Sequence, residues 1–207
     1  MGSRSNAIEE ITRFWLQSKH GCLVAEAIPV PVPYALSDID IVAVTSDTKR
    51  KIELPKEAGG AEIGPRLIVE TKDEHDWDAA GGEFAGLLRA DLDKMGDGPY
   101  IPRGTKGVKF TMLREEHFAE AKRYFDSDDF DRLFVVHAMA RELIGENAAR
   151  LKEHRIYLVT IRELVADLYS WYRDPNLRKA GLRHTLVGDL WHLLVGFCKC
   201  EPRATAD

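Results

Sequence analysis

The sequence predicts an α/β domain in which a mixed central sheet is flanked by helices. Three observations carry this. Short apolar runs rich in β-branched residues recur at residues 22–28, Asp38–Thr45, Arg66–Lys72, 133–138 and Ile156–Thr160. Helical periodicity precedes the first run and separates the later ones. The resulting order is one helix, three strands, then alternating helices and strands, which a mixed sheet covered by helices satisfies.

Residues 6–18 read as the first helix. Ile8, Ile11, Phe14 and Trp15 recur at helical spacing, Ser5 or Asn6 can cap the start, and His20-Gly21 ends it. Residues 22–28 form a short strand. Pro29-Val30-Pro31-Val32-Pro33 is an extended connector or sheet edge, because each proline lacks a ladder donor. Asp38–Thr45 alternates at first and then turns wholly apolar, as a strand entering a core does. Residues 46–65 carry Lys49-Arg50-Lys51 and Gly59-Gly60 and read as a solvated insertion or long hairpin. Leu67-Ile68-Val69-Glu70 returns to a strand. Residues 73–107 are rich in Asp, Gly and Pro, with one helix over 83–92. The second half gives a helix over 114–125, a strand over 133–138, a helix over 140–153, a strand over Ile156–Thr160 and a helix over Ile161–Tyr172. Asp174-Pro175 breaks that helix. Residues 186–198 form a last one, so a core of about 5–172 is expected to carry a C-terminal helical extension of about 173–200.

The 207 residues suit a single domain. Hydrophobic residues at 44% and charged residues at 30% exclude a disordered chain. A formal net charge of -5 excludes a whole-molecule basic field, so contact with nucleic acid must rest on a local patch. Cys22, Cys198 and Cys200 make an odd set without the spacing of a zinc knuckle, and all three read as reduced thiols. The first residues hold no apolar signal core. The apolar stretch at 186–197 is interrupted by Asp189 and His192 and falls short of the ~20 residues that span a bilayer. The expectation is a cytoplasmic protein without a membrane partner.

The chemistry-bearing constellation is Asp40, Glu70 and Lys72. Asp40 sits at the polar entry of one apolar strand, and Glu70 and Lys72 at the exit of another. Two residues apart on a strand, Glu70 and Lys72 share a face. If the two strands pair as a hairpin across residues 46–65, Asp40 meets Glu70 and Lys72 at one end of the sheet. Converging carboxylates repel one another and resist desolvation, and a divalent cation relieves both costs. Hard carboxylate oxygens with room for water suit Mg²⁺ or Mn²⁺. Lys72 could orient water or neutralise charge developing on a phosphate.

These residues resemble the PD-(D/E)XK, or restriction-endonuclease-like, nuclease superfamily. The matching text is Asp40-Ile41-Val42-Ala43-Val44 followed by Leu67-Ile68-Val69-Glu70-Thr71-Lys72, after a helix and a strand that fit the family's opening αβββ order. The resemblance implies a restriction-endonuclease-like sheet and a metal-dependent nuclease acting on nucleic acid, DNA foremost. Asp40 and Glu70 would be metal ligands, the Thr71 carbonyl a further ligand, and Lys72 the catalytic lysine. Many members add a Glu from the first helix. With Ile8, Ile11, Phe14 and Trp15 as the buried face, Glu9 lies nearly opposite and Glu10 on its flank, so Glu10 is the expected residue. A homodimer is compatible with this reading. The chain departs from the pattern in its long Asp40–Glu70 gap, in having no Pro before Asp40 and in lacking a clear Gln motif on a following helix.

Two other readings use the same residues. Ser37-Asp38-Ile39-Asp40-Ile41 resembles the Asp-x-Asp strand of nucleotidyltransferases, yet the Gly-Ser turn expected about ten residues earlier is replaced by Ala27-Ile28-Pro29-Val30-Pro31. A catalytically silent binding module on the nuclease fold is the third. Lys49, Arg50 and Lys51, with Lys56, form a basic run expected beside the site, where they would track phosphates or simply be solvated. Arg103, Lys106 and Lys109 make a weaker second patch. Asp76, Trp77 and Asp78 follow Lys72 closely enough to face substrate, although the tryptophan suits packing better. His184, Asp189 and His192 suit structural hydrogen bonds better than a metal.

Overall fold

The computed structural model describes residues 5–32, 37–47, 49–72, 82–96, 98, 100–137 and 145–173. Seven strands and five α-helices lie in that part. In chain order they are α1 (Ser5–Phe14), β1 (Cys22–Pro29), β2 (Asp38–Thr45), β3 (Ile52–Glu53), β4 (Glu62–Ile63), β5 (Arg66–Lys72), α2 (Gly82–Lys94), α3 (Glu115–Phe125), β6 (Asp131–Val136), α4 (Ala148–Glu153), β7 (Ile156–Thr160) and α5 (Ile161–Tyr172). The expected α/β architecture is present: a mixed five-stranded sheet, ordered β1-β2-β5-β6-β7, flanked by helices.

Burial explains the order. β5 is central and buried along its length except at its two ends, and every residue of β6 is buried. β5, β6 and β7 run parallel, and parallel strands covered on both faces read as continuous apolar runs. β1 and β2 add antiparallel to β5, so β2 and β5 do pair across residues 46–65. Alternate residues feed two cores. Val42, Ile68, Phe134 and Val136 pack with Leu88 and Leu92 of α2 and Ala121 of α3. Ile41, Ala43, Leu67, Val69, Leu133 and Val135 pack with Ile8 and Phe14 of α1 and Leu164 and Leu168 of α5.

Three details differ from the sequence expectation. The first helix ends at Phe14 and continues as a π-helical turn over Trp15–Lys19. The insertion at 46–65 is not wholly solvated. It folds into the two-stranded β3–β4 ribbon, whose Ile52 and Ile63 are fully buried against the α1/α5 core. The strand expected at 133–138 begins earlier, at Asp131, because Asp131 and Arg132 are buried polar residues whose partners lie in the neighbouring loop: Arg155 bonds Asp131, and the His154 carbonyl accepts from Arg132.

No helix among the described residues is long and apolar enough to cross a membrane. Asp76, Trp77 and Asp78, the Asp174-Pro175 break, the C-terminal helix over 186–198 with His184, Asp189 and His192, and Cys198 and Cys200 lie outside the described residues, as does the start of the helix expected over 140–153.

Candidate active site at the fork between two strands

The β2–β5 ladder ends at the pair Ile41 and Val69. Beyond it the strands part, and the next donor on β5, the Thr71 N–H, is taken by the side chain of Asp40. Asp40 Oδ2 accepts from Thr71 N at 2.6 Å and from Thr71 Oγ1 at 3.1 Å. On the other side of β2 the ladder with β1 skips the pair Ala27 and Asp40, and Ala27 has a φ of 49°. A non-glycine residue in the left-handed region costs on the order of 1 kcal/mol or more and persists only where its surroundings hold it. Asp40 is therefore bracketed by a strained neighbour on one side and a strand fork on the other.

The sheet's alternation sends Glu70 and Thr71 to opposite faces. On the α2/α3 face, Glu70 is 3% exposed and its charge is met by many donors. Oε1 accepts from Thr111 N at 3.2 Å and Thr111 Oγ1 at 3.0 Å, and lies 2.6 Å from Lys72 Nζ; Oε2 accepts from Met112 N at 2.8 Å. These donors open the 3₁₀ turn Thr111–Leu113. On the α1 face, Thr71 Oγ1 reaches Glu9 Oε1 at 3.5 Å.

The electrostatics are lopsided. Asp40 has its pKa pushed up to about 6, chiefly because burial disfavours its charge; Glu70 and Glu9 add to this, and the Thr71 hydrogen bond and Lys72 oppose it. Glu9 is also raised, first by burial and then by Asp38 and Glu26. Among the described residues no cation pairs directly with Asp40 or Glu9, whereas Glu70 has Lys72.

The structure thus brings Asp40, Glu70, Thr71 and Lys72 together and adds Glu9. Glu10, the expected helix residue, instead bonds Arg13, which also reaches Glu26 at 3.2 Å. The reason is a rotation of the buried face of α1. Thr12 is fully buried, its hydroxyl satisfied by Ile8 O at 2.7 Å, and Leu16 is fully buried as well. Counting Thr12 and Leu16 turns the buried stripe by about 40°, which carries Glu9 toward its flank and Glu10 to the far side. A buried threonine carries no hydropathy signal, so the spacing of apolar residues alone missed it.

His117 of α3 was also not singled out by the sequence. It is 1% exposed, with Nε2 3.0 Å from Ser37 Oγ and 3.2 Å from Asp38 O, and burial lowers its pKa. It pins the start of β2. Asp38 itself is exposed.

The basic run is not beside the site. Lys49, Arg50 and Lys51 follow the far end of β2, and Asp40 and Thr45 are separated by five residues at about 3.3 Å each, or roughly 16 Å. The hairpin topology that joins Asp40 to Glu70 is what sends the connecting loop to the opposite end of the sheet.

No family model, curated protein or solved structure matches the chain.

Proposed function

We propose that the chain is a metal-dependent phosphodiesterase acting on nucleic acid, DNA foremost, with its centre at the β2–β5 fork. The observation that carries this reading is Asp40: a half-buried carboxylate whose pKa burial raises, with Glu70 and Glu9 near enough to raise it further and no cation paired with it among the described residues. Such a group is stabilised in its charged form by a bound cation. The element order α1-β1-β2-β5 supports the resemblance to the PD-(D/E)XK superfamily.

The donor set fits Mg²⁺ in part. Among the described residues no three His, Cys, Asp or Glu side chains enclose a metal by themselves. Mg²⁺ commonly takes one or two carboxylates and keeps several waters. Asp40 would be the principal ligand, with Glu9, Oε2 of Glu70 and the Thr71 carbonyl as the remaining protein oxygens. When bound, the ion would polarise a phosphoryl oxygen and lower the pKa of a water. Thr71 holds Asp40 in position through two hydrogen bonds. Lys72 places a positive charge beside Glu70, where it can neutralise charge developing on a phosphate oxygen or orient the attacking water.

The donors around Glu70 favour a second reading, a silent binding module in which Glu70 is a structural carboxylate clamping the Thr111–Leu113 turn. Incubation of labelled single-stranded, duplex and branched DNA and of RNA with the wild type and Asp40→Asn, with Mg²⁺ or with chelator, separates the two. Cleavage that needs both Mg²⁺ and Asp40 supports the phosphodiesterase. Binding without cleavage by the wild type on every substrate leaves the binding module.

A further inference from the structure

At the opposite end of the sheet from Asp40 lies a cleft of about 540 Å³, whose lining includes Lys19, His20, Lys49, Arg50 and Trp171. Its charges are unevenly matched. Lys19 is paired with Asp167, and Lys51 lies 3.0 Å from Glu62. Among the described residues Lys49 and Arg50 have no carboxylate within ion-pair distance, and Glu53 is the one lining carboxylate without a cation. Arg50 lies beside the Gly21 turn: Gly21 has a φ of +67°, which favours glycine, and a Cβ there would be in ordinary van der Waals contact with the Arg50 guanidinium at 3.7 Å. Behind it, His20 is 4% exposed and its buried Nε2 has no hydrogen-bond partner among the described residues. A buried nitrogen left unmet is costly, and a hydrogen-bonding group that reaches it relieves that cost.

We propose that this cleft is a phosphate-binding site, in which Arg50 and Lys49 hold the phosphate oxygens, His20 supplies a further hydrogen bond and Trp171 forms an aromatic wall. The chemistry favours phosphate over a carboxylate. The guanidinium fork of Arg matches the phosphate oxygens, and a second, point-like cation beside it suits a group carrying up to two charges. Trp171 in the lining supplies the aromatic side chain that stacking on a nucleobase requires, as single-strand binders use it. A phosphate held here lies roughly 16 Å from Asp40 along β2, a span that one strand of nucleic acid covers in about five nucleotides at 3.4 Å each. The site stands without the metal reading, since none of its residues touches Asp40, Glu70 or Lys72.

The test is calorimetry on the full chain at low salt, with chelator present so that no metal contributes. The probes are inorganic phosphate, a nucleoside 5′-monophosphate, and a short single strand with and without a 5′-phosphate. Binding of at least one phosphate probe, weakened fivefold or more by Arg50→Gln and by Lys49→Gln, with a shift of the His20 imidazole resonances on saturation, supports the site. A 5′-phosphorylated strand that binds more tightly than the 5′-hydroxyl strand names a strand end as the source; inorganic phosphate or the monophosphate binding as tightly as any strand names a free phosphate. The proposal is overturned if no probe binds, if Arg50→Gln leaves binding unchanged, or if Lys122→Gln on α3 weakens it as much, because the attraction then belongs to no particular cleft.

Discussion

Asp40 Oδ2 lies 2.6 Å from the backbone nitrogen of Thr71, so a side chain on β2 continues the ladder that the β2 backbone has abandoned. This one contact fixes the carboxylate at the strand fork and shields it from solvent. The same residue is thereby held in place and left short of a counter-charge, the combination expected of a metal ligand.

The first prediction concerns pH. The folded pKa of Asp40, about 6, is above the ordinary value of about 3.9 in an unfolded chain. A carboxylate raised on folding favours the folded state while protonated, and that contribution is lost as pH rises from about 4 through about 6. Asp40→Asn is therefore expected to stabilise the metal-free protein at pH 7.5, by up to about 3 kcal/mol, and to have little effect at pH 4. Urea midpoints at the two pH values check this; an equal effect at both would remove the burial argument.

The second prediction separates the two glutamates of α1. Glu9→Gln should weaken Mn²⁺ binding, because a carboxylate ligand is lost, and move its onset to lower pH, because the Glu9 charge no longer raises the Asp40 pKa. Glu10→Gln should leave Mn²⁺ affinity unchanged, its carboxylate being committed to Arg13. Titration of the two variants side by side is the check, and equal losses would show that α1 does not face the site as described.

The third concerns Glu70. Glu70→Ala would strand the backbone N–H groups of Thr111 and Met112 in a buried turn, at about 1–3 kcal/mol for each unmet donor. A fall in Tm on the order of 10 °C is expected for a chain of this length. A Tm unchanged by the substitution would show that the clamp does not hold the turn.

The fourth concerns the buried imidazole of His20, whose pKa burial lowers to about 4, with Lys19 and Arg50 adding to the effect. A histidine depressed on folding contributes stability that is present above about 6.5 and is lost as pH falls through about 4. His20→Phe keeps the ring contact with Trp15, where the ring centroids are 4.4 Å apart, and removes the titration. Its stability should vary less between pH 7 and pH 4.5 than that of the wild type, as thermal melts at the two values would show.

Much of the architecture was legible because the strands are either buried on both faces or bounded by charged ends. Asp38–Thr45, Arg66–Lys72, Ile156–Thr160 and Ile161–Tyr172 appear with the bounds their apolar runs set. The juxtaposition of Asp40 with Glu70 and Lys72 followed from strand parity and one hairpin assumption. What stayed hidden depends on residues whose burial hydropathy does not announce. Thr12 turned α1 and exchanged Glu10 for Glu9. Thr111 and Met112 reach Glu70 through backbone atoms, which have no sequence signature. The basic run was placed at the wrong end because its closeness in sequence to Asp40 concealed the length of β2.

Lys72 gives the fifth prediction. Its ammonium sits 2.6 Å from Glu70 Oε1 and not on Asp40. Lys72→Met should leave metal affinity within a few-fold of the wild type and reduce cleavage by about 10²–10³, the loss typical of one transition-state donor. Single-turnover rates with saturating Mg²⁺ measure it, and wild-type rates in this variant would exclude the role.

The most direct test of the central claim is calorimetric titration of Mn²⁺ into the wild type and Asp40→Asn at pH 7.5. The account predicts binding to the wild type that weakens as pH falls through about 6, where the proton competes with the ion for Asp40, and a loss of that binding in Asp40→Asn. Binding of equal strength in both proteins, or none in a folded wild type, would contradict it.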